Sequence, residues 1–504
     1  MNKLYILLLS SMILISCGFK NDTGRDTIIW PSEKWHSSSP ETQGVNSEVL
    51  AAMLEHIQQQ EFNIDSIQII RNGNIILDSY IHPYRESDLH IIHSCTKSIT
   101  SLLIGIAIDQ GLIESLDQPV LDFFPEKAAN NKDEKLTKLT IRHLLTMSTG
   151  LHSRDSYMYR WEGLNAMKDS EEKWSEYILN LPFDVDPGSR FDYSNMASYL
   201  LSSIITESSG MMAIDFGNKY LFGPLGIIDI LWPLSPEGNN IGWGEIKIHP
   251  HDLGRIGWMV LNKGIWKDQR IISEDYLNQA TSAQVKADTL AEFYGFQWWV
   301  KKPGLFMALG YGGQYLIINP EKNLVVVFTS ALKDKDFFTP MHLYSSFILK
   351  AIESDTALKK NKSSFDRLES LKMELLSPVE KIISNIPKEF QTFNGHKYKL
   401  NENPYNLKTI QYNFKNKQAT LFMDFGNGIE TYPVGLDGRY LINETEEVGV
   451  RGHWSPELKF ETIFKGQGEA WWFDMKSVFY DESLHIVLRS SNGDFTTIEG
   501  NSIK

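Results

Sequence analysis

The sequence predicts an α+β domain followed by an all-β module. β-prone runs flank Asn72-Gly73 near the start, and three more runs lie between 305 and 330, with apolar helical stretches between and after them. One sheet built from both ends of the segment 35–352, with helices packed on it, accounts for that order. From 391 to 504 the pattern is short and alternating, punctuated by Gly, Asn and Asp, as in a β-sandwich or a small barrel.

Residues 1–17 stand apart from the fold. Lys3 precedes an almost uninterrupted apolar run over 4–16, too short to span a bilayer permanently, so a removable signal peptide is expected. Leu14-Ile15-Ser16-Cys17 resembles a bacterial lipobox, which makes Cys17 the expected lipidation site. An exported protein held to a membrane through that anchor alone follows, at the outer membrane, in the periplasm or at the cell surface. Residues 18–34 read as a tether.

Within 35–352, Ser47–Gln59 carries Leu50, Met53, Leu54 and Ile57 at helical spacing. Asn72-Gly73 between 67–70 and 75–77 is a strong hairpin signal. The run 98–111 is an apolar helix stopped at Gly111, and 140–151 reads as a second buried helix capped at Gly150. Shorter helices are expected at Trp174–Leu179, through 200–210 and at 252–262, with a compact turn at 220–226. Strands are expected at 294–300, 305–309, 314–318 and Leu324–Ser330, then a closing helix at 341–352. Residues 353–390 read as a linker or bridging helix. Six strands are expected beyond it, at 409–414, 418–425, 431–434, 457–464, 469–475 and 484–489.

The chain has 504 residues, a net charge of -14 and an isoelectric point near 5.5. That balance argues against nucleic-acid binding, which calls for a basic face. After processing at Cys17, Cys95 is the one remaining cysteine, so a disulfide framework is excluded.

The chemistry centres on His93-Ser94-Cys95-Thr96-Lys97 at the head of the apolar helix. Ser94 and Lys97 are three residues apart and share a face. A serine hydroxyl needs a neighbouring base, and a buried lysine with a lowered pKa is one. Cys95 points about 100° away from Ser94 and reads as a small buried side chain. Tyr193-Ser194-Asn195 supplies a phenol to shuttle protons, with phenolate favoured by a nearby cation, and an amide to orient Lys97 and bind a substrate carbonyl. As a bare pattern it reads equally well as a tyrosine corner with Asn195 capping a helix. Gly310-Tyr311-Gly312-Gly313 allows a close backbone approach, with main-chain N–H groups as oxyanion donors. The same glycines also suit a hairpin corner.

Taken in order, Ser94-x-x-Lys97, Tyr193-x-Asn195 and the late glycine-rich strand resemble the penicillin-recognising serine hydrolases. The likeness is strongest to the class C β-lactamase group with its esterase and 6-aminohexanoate-dimer-hydrolase relatives. It extends to Ile141-Arg-His-Leu-Leu-Thr-Met-Ser-Thr-Gly-Leu, Pro187-Gly-Ser-Arg-Phe-Asp-Tyr-Ser-Asn and Gly312-Gly-Gln-Tyr-Leu-Ile-Ile-Asn-Pro-Glu, and covers 35–352. The resemblance implies a β-lactamase/DD-peptidase-like fold, a helical subdomain packed on an antiparallel sheet with a cleft between. It implies Ser94 as the acylated nucleophile, Lys97 and Tyr193 as the proton-transfer pair, Asn195 as a substrate contact, and no metal or organic cofactor. The last domain is similar to the β-rich, lipocalin-like extension of some of these proteins, which implies an all-β sandwich or lipocalin-like barrel.

One departure stands out. Those lactamases and peptidases carry Lys-Thr-Gly or His-x-Gly on the late strand, where the cation holds a substrate carboxylate. Ala308-Leu309-Gly310, or Gly310-Tyr311-Gly312 in another register, offers no such charge. Losing a charge-assisted contact costs about 2–5 kcal/mol when its partner stays buried. A neutral small-molecule ester or amide is therefore the expected substrate. A cell-wall or penicillin hydrolase is the alternative, and an inactive surface-anchored binding protein is the rival of another kind. His90 with His93, and His249 with His251, lack a third metal ligand at a familiar spacing. Trp298-Trp299 and Trp471-Trp472 read as core or rim aromatics.

Overall fold

The runs on either side of Asn72-Gly73 form strands Ile64–Arg71 and Asn74–Tyr80, antiparallel, with Arg71 opposite Asn74. Asn72 and Gly73 both have positive φ, 52° and 78°, as a two-residue turn between twisted strands requires. The computed structural model describes residues 28–126, 131, 133–156, 161–302, 304–379, 387–415, 418–455 and 459–503. The signal segment 1–17, with Cys17, and residues 18–27 of the expected tether lie outside the described residues.

This hairpin is completed by strands from the far end of the domain. The sheet runs His36–Ser37, Asn74–Tyr80, Ile64–Arg71, Leu324–Ser330, Gln314–Asn319, Leu305–Gly310, Trp299–Lys302, Phe293–Tyr294 and Val285–Lys286. Its pairings are antiparallel except at the edge, where His36–Ser37 runs parallel to Asn74 and Ile75. Pro250–Leu261 packs on strands Ile64–Arg71, Gln314–Asn319 and Leu324–Ser330, while Cys95–Asp109 and Asn195–Ser209 pack on each other.

Several elements differ from the sequence reading. The helix expected over 140–151 stops at Leu145, because Met147 takes φ 54° and the chain turns away. Gly150 lies beyond it and packs on the carbonyl of Val185 rather than capping a helix. The strand expected at 294–300 breaks at Gln297, φ 63°, whose amide donates to the carbonyls of Leu144 and Leu145 and accepts from Ser198. Residues 28–34 lie on the domain, with Trp30 edge-on to Trp258 and Trp266. Lys362–Leu376, within the expected linker, belongs to the first core: Leu368, Leu371 and Leu375 are buried there, and Arg367 pairs with Glu48 and Glu55 of helix Ser47–Gln59.

Among the described residues the second module is a ten-stranded sheet closed into a barrel, not a sandwich; Gly435 on the edge strand Ile429–Gly435 pairs with Arg451 of Val448–Ser455 to close it. Tyr412, Phe414, Phe460 and Phe479 fill it. Four strands escape a pattern reading. Lys397–Leu400 and Leu441–Asn443 are short, Val448–Ser455 carries two glycines, and Phe495–Ile503 is mostly polar.

Residues 467–471 form the turn between Lys459–Gly466 and Trp472–Phe479, so the strand expected from 469 begins at Trp472 instead, and that turn docks on the first domain. Gly468 accepts from the N–H of Ile91 at 2.8 Å. A side chain at Gly468 would strike the carbonyl of Leu89, so only glycine fits there. Gln467 donates to the carbonyl of Pro83 and to Asp88, both at 2.6 Å. Lys465 forms an ion pair with Asp65, which also meets Nε2 of His90 at 3.0 Å; all three are almost fully buried. Burial works to raise the Asp65 carboxyl, but Lys465 and His90 outweigh it and hold it below the usual carboxylate range.

Breaking a buried pair strands a charge without a counter-ion, at about 3–5 kcal/mol. Lys465→Met is expected to destabilise the protein by about that amount in chemical denaturation. Adding Asp65→Asn to it should restore part of the loss, whereas independent effects would simply add.

Candidate active site

Ser94 sits where the chain turns from strand His90–Ile91 into helix Cys95–Asp109. Its neighbour His93 holds φ 41°, uncommon for a non-glycine residue. The turn is clamped on both sides: Ile91 donates to Gly468 and Ile92 donates to Ile246. Lys97 lies one turn into the helix, 1% exposed, with Nζ 3.1 Å from Ser94 Oγ.

The other two bonds of Lys97 decide what its amine can do. Nζ donates to Asn195 Oδ1 at 2.7 Å and to the carbonyl of Trp243 at 2.8 Å. The Asn195 orientation follows from its Nδ2, which donates to the carbonyl of Asp155 at 3.1 Å. A neutral amine has two protons, and these two acceptors take both. The lone pair is then left facing Ser94, whose hydroxyl can donate to it.

Burial pushes the Lys97 pKa down to about 7, against the opposing pull of Asp155, Cys95 and Glu245. Asp155 is itself fully buried, which pushes its carboxyl up to about 6 despite bonds from the N–H of Met196 and from the hydroxyls of Ser194 and Ser153. Its bond from Met196, in the first turn of helix Asn195–Ser209, ties that helix start to the Lys97 site. The helix cap is Ser194, which accepts from the N–H of Ala197, so Asn195 is free to serve Lys97.

Tyr193 closes the cluster. Its ring lies 4.9 Å from Lys97 Nζ, stacks on Trp299 at 5.8 Å and meets Tyr294 edge-on. Burial raises the phenol well above its ordinary pKa, only partly offset by a hydrogen bond with Ser94. The expected phenolate is thus not favoured: desolvation, with Cys95 and Asp155 nearby, holds the phenol up.

The glycine-rich segment is the turn between Leu305–Gly310 and Gln314–Asn319, held by Gln314, which donates to the carbonyls of Tyr311 and Ser330. Gly310 packs on the carbonyl of Ile92, and Tyr311 meets His93 edge-on at 5.7 Å, so this end reaches the serine turn. Gly312 and Gly313 are both tightly packed, at φ 74° and 90°. Gly312 makes room for Ala470 of the barrel and Gly313 for Leu332, and the Gly313 N–H donates back to Gly310 at 3.3 Å.

Cys95 is buried with Sγ toward the carbonyl of Gln314, and burial raises its thiol, which suits packing rather than attack. His90 is spent on Asp65 and the carbonyl of Ile91, and His251 on Asp78 and Tyr80. Trp298 is core, while Trp299 supports Tyr193. Sequence reasoning missed Asp155, the Trp243 carbonyl, Gln297 and the barrel turn. Asp155 lies in a polar stretch with no pattern around it, and a carbonyl acceptor leaves no trace in side-chain identity.

Fold and site together place the chain among hydrolases built on the β-lactamase fold. Residues 50–344 match the family described as Beta-lactamase, more than half of the chain, and the protein belongs to that family. It is 23% identical over 323 residues to a 6-aminohexanoate-dimer hydrolase of Paenarthrobacter ureafaciens, covering 59% of this chain and 81% of the relative. Among solved structures, a protein of Bacteroides dorei assigned as a β-lactamase superposes with a TM-score of 0.52 at 17% identity, over 61% of this chain and 98% of that one. The octameric penicillin-binding protein homologue of Pyrococcus abyssi covers 90% of this chain and 99% of its own at a TM-score of 0.45 and 16% identity.

The lowered Lys97 pKa sets a sign. The free amine prevails above about pH 7, so labelling of Ser94 by a neutral fluorophosphonate should accelerate as pH rises through about 7. Asp155 raises the Lys97 pKa, so Asp155→Asn should move that rise to lower pH. Asn195→Asp, which sets a carboxylate on the amine, should move it higher. Stopped labelling time courses from pH 5 to 9 check both directions.

Proposed function

We propose that the protein is a serine hydrolase acting through an acyl-enzyme on neutral esters or amides, a carboxylesterase or amidase rather than a β-lactamase. The observation that carries it is the buried Lys97 amine, held by Asn195 Oδ1 and the Trp243 carbonyl with Nζ 3.1 Å from Ser94 Oγ, so that in its neutral form the lone pair faces that hydroxyl. In this reading Lys97 takes the Ser94 proton as Oγ attacks the substrate carbonyl carbon. The C–O or C–N bond of the tetrahedral adduct then breaks. The Tyr193 phenol protonates the leaving group and recovers its proton from the Lys97 ammonium. Water attacks the acyl-serine by the reverse relay and releases the acid.

The substrate preference rests on charge. The late strand carries no cation at 308–313, and the cavity beside His93 is lined by Glu469 and by no lysine or arginine. A substrate carboxylate finds no partner there. The similarity to a 6-aminohexanoate-dimer hydrolase supports amide as well as ester hydrolysis. Wild-type protein should hydrolyse short-chain nitrophenyl esters and be labelled by a fluorophosphonate. Ser94→Ala should abolish both, and Lys97→Met should lower kcat/KM by about 10²–10⁴-fold. Rapid nitrocefin turnover without ester turnover would instead point to a lactamase. Absence of labelling in the wild type would point to a binding protein.

The same reading places the enzyme outside the cytoplasm, held by lipid on Cys17. Among the described residues no helix is long and apolar enough to cross a membrane. Cys17→Ala should shift the protein from the detergent-soluble membrane fraction to the soluble fraction; unchanged fractionation would refute the anchor.

A further inference from the structure

The barrel turn that grips the strand before Ser94 also walls a cavity. The cavity holds about 490 Å³ and is faced by His93 and Tyr311 from the first domain and by Ala470, Trp471, Trp472 and Phe473 from the barrel. That volume lies within the range of small-molecule sites, about 300–1,000 Å³. It shares His93, the residue adjoining Ser94, with the catalytic turn.

The wall is rigid. Trp471 stacks on Phe473 at 5.9 Å and 15°, and Phe473 stacks on Phe464 at 4.4 Å and 18°. Trp472 is buried beneath Lys333, 4.7 Å from its ring. Ala470 is pressed against Gly312, and Gly468 is bonded to Ile91. The wall is also electrically quiet. Glu469 is paired with Lys247, and burial, with His90 and Lys97 nearby, pushes His93 down to about 4, so its ring is neutral at pH 7. Trp471 remains 36% exposed, an apolar aromatic surface left uncovered.

We propose that residues 466–473 of the barrel are a substrate-specificity element, forming with His93 and Tyr311 a subsite for an uncharged aromatic group of the ester or amide cleaved at Ser94. An aromatic ring gains offset or edge-on contact with Trp471 and Tyr311 there, a carboxylate finds no lysine or arginine in the lining, and the one carboxylate of the lining, Glu469, is paired with Lys247. The assignment rests on the hydrolase reading for its position along the substrate, and on the cavity itself for its occupant.

The test compares ethyl acetate with benzyl acetate and ethyl 3-phenylpropionate, following acid release in a pH-stat with the full chain. Wild type should favour at least one aromatic ester by tenfold or more in kcat/KM. Trp471→Ala, which removes the wall, and Asn492→Trp, which fills the mouth from the rim, should each cut that ratio at least fivefold. A ratio unmoved in both variants, or no aromatic preference in the wild type, overturns the subsite. Calorimetric titration of Ser94→Ala protein with 3-phenylpropionamide keeps the two proposals apart, since it needs no turnover. Binding that is lost in Ser94→Ala/Trp471→Ala supports the subsite even if Ser94 proves unreactive, and no binding overturns it.

Discussion

Burial of one ammonium group organises the first domain. Lys97 sits in the first turn of an apolar helix, where a charged amine is expensive, and the structure answers by supplying acceptors for a neutral one. Asn195 Oδ1 and the Trp243 carbonyl take its two protons, and Ser94 meets the remaining face. Each acceptor comes from a different part of the chain. Asn195 opens helix Asn195–Ser209, whose start is fixed by Asp155, and Trp243 stands on a loop packed against Trp174 and Tyr199. The site therefore exists only when two helix starts and a loop are in register, which ties reactivity to the integrity of the fold.

Desolvation also sorts the two proton carriers. It lowers the Lys97 amine and raises the Tyr193 phenol, so burial moves the two groups in opposite directions. Asp155 opposes part of the shift on Lys97 and is itself pushed up to about 6, so the pair shares the cost of being buried.

The barrel is bound to this arrangement by a second buried charge. Lys465 reaches out of the barrel to Asp65, on the strand that begins the hairpin, and the turn following Lys465 bonds to Ile91, three residues before Ser94. A loosely hung accessory module would keep its polar groups in water. Here a lysine, a glutamine and a main-chain carbonyl are committed inside the junction, as suits a fixed relation between the module and the serine turn.

Much of this was legible along the chain. Asn72-Gly73 forces a hairpin because both residues tolerate positive φ, the apolar periodicity of 98–111 forces a buried helix, and Ser94 and Lys97 share a face by helix geometry alone. Tyr193 and Asn195 were legible as types of group and as neighbours, because the chemistry of a serine base calls for them. Local sequence could not show what depends on meeting across distance. The break at Gln297 is made by bonds to Leu144, Leu145 and Ser198, and burial against Trp299 and Tyr294 pushes the Tyr193 phenol up. The contact of Gly312 with Ala470 joins residues 158 apart in the chain, so local pattern could not show it. The sequence by itself determined the two modules, the helix that bears Ser94 and Lys97, and the kinds of group around them, since these follow from periodicity, turn chemistry and spacing. The tertiary structure alone decided the protonation of the site, the closure of the barrel and its place beside Ser94, since burial and register are properties of segments brought together.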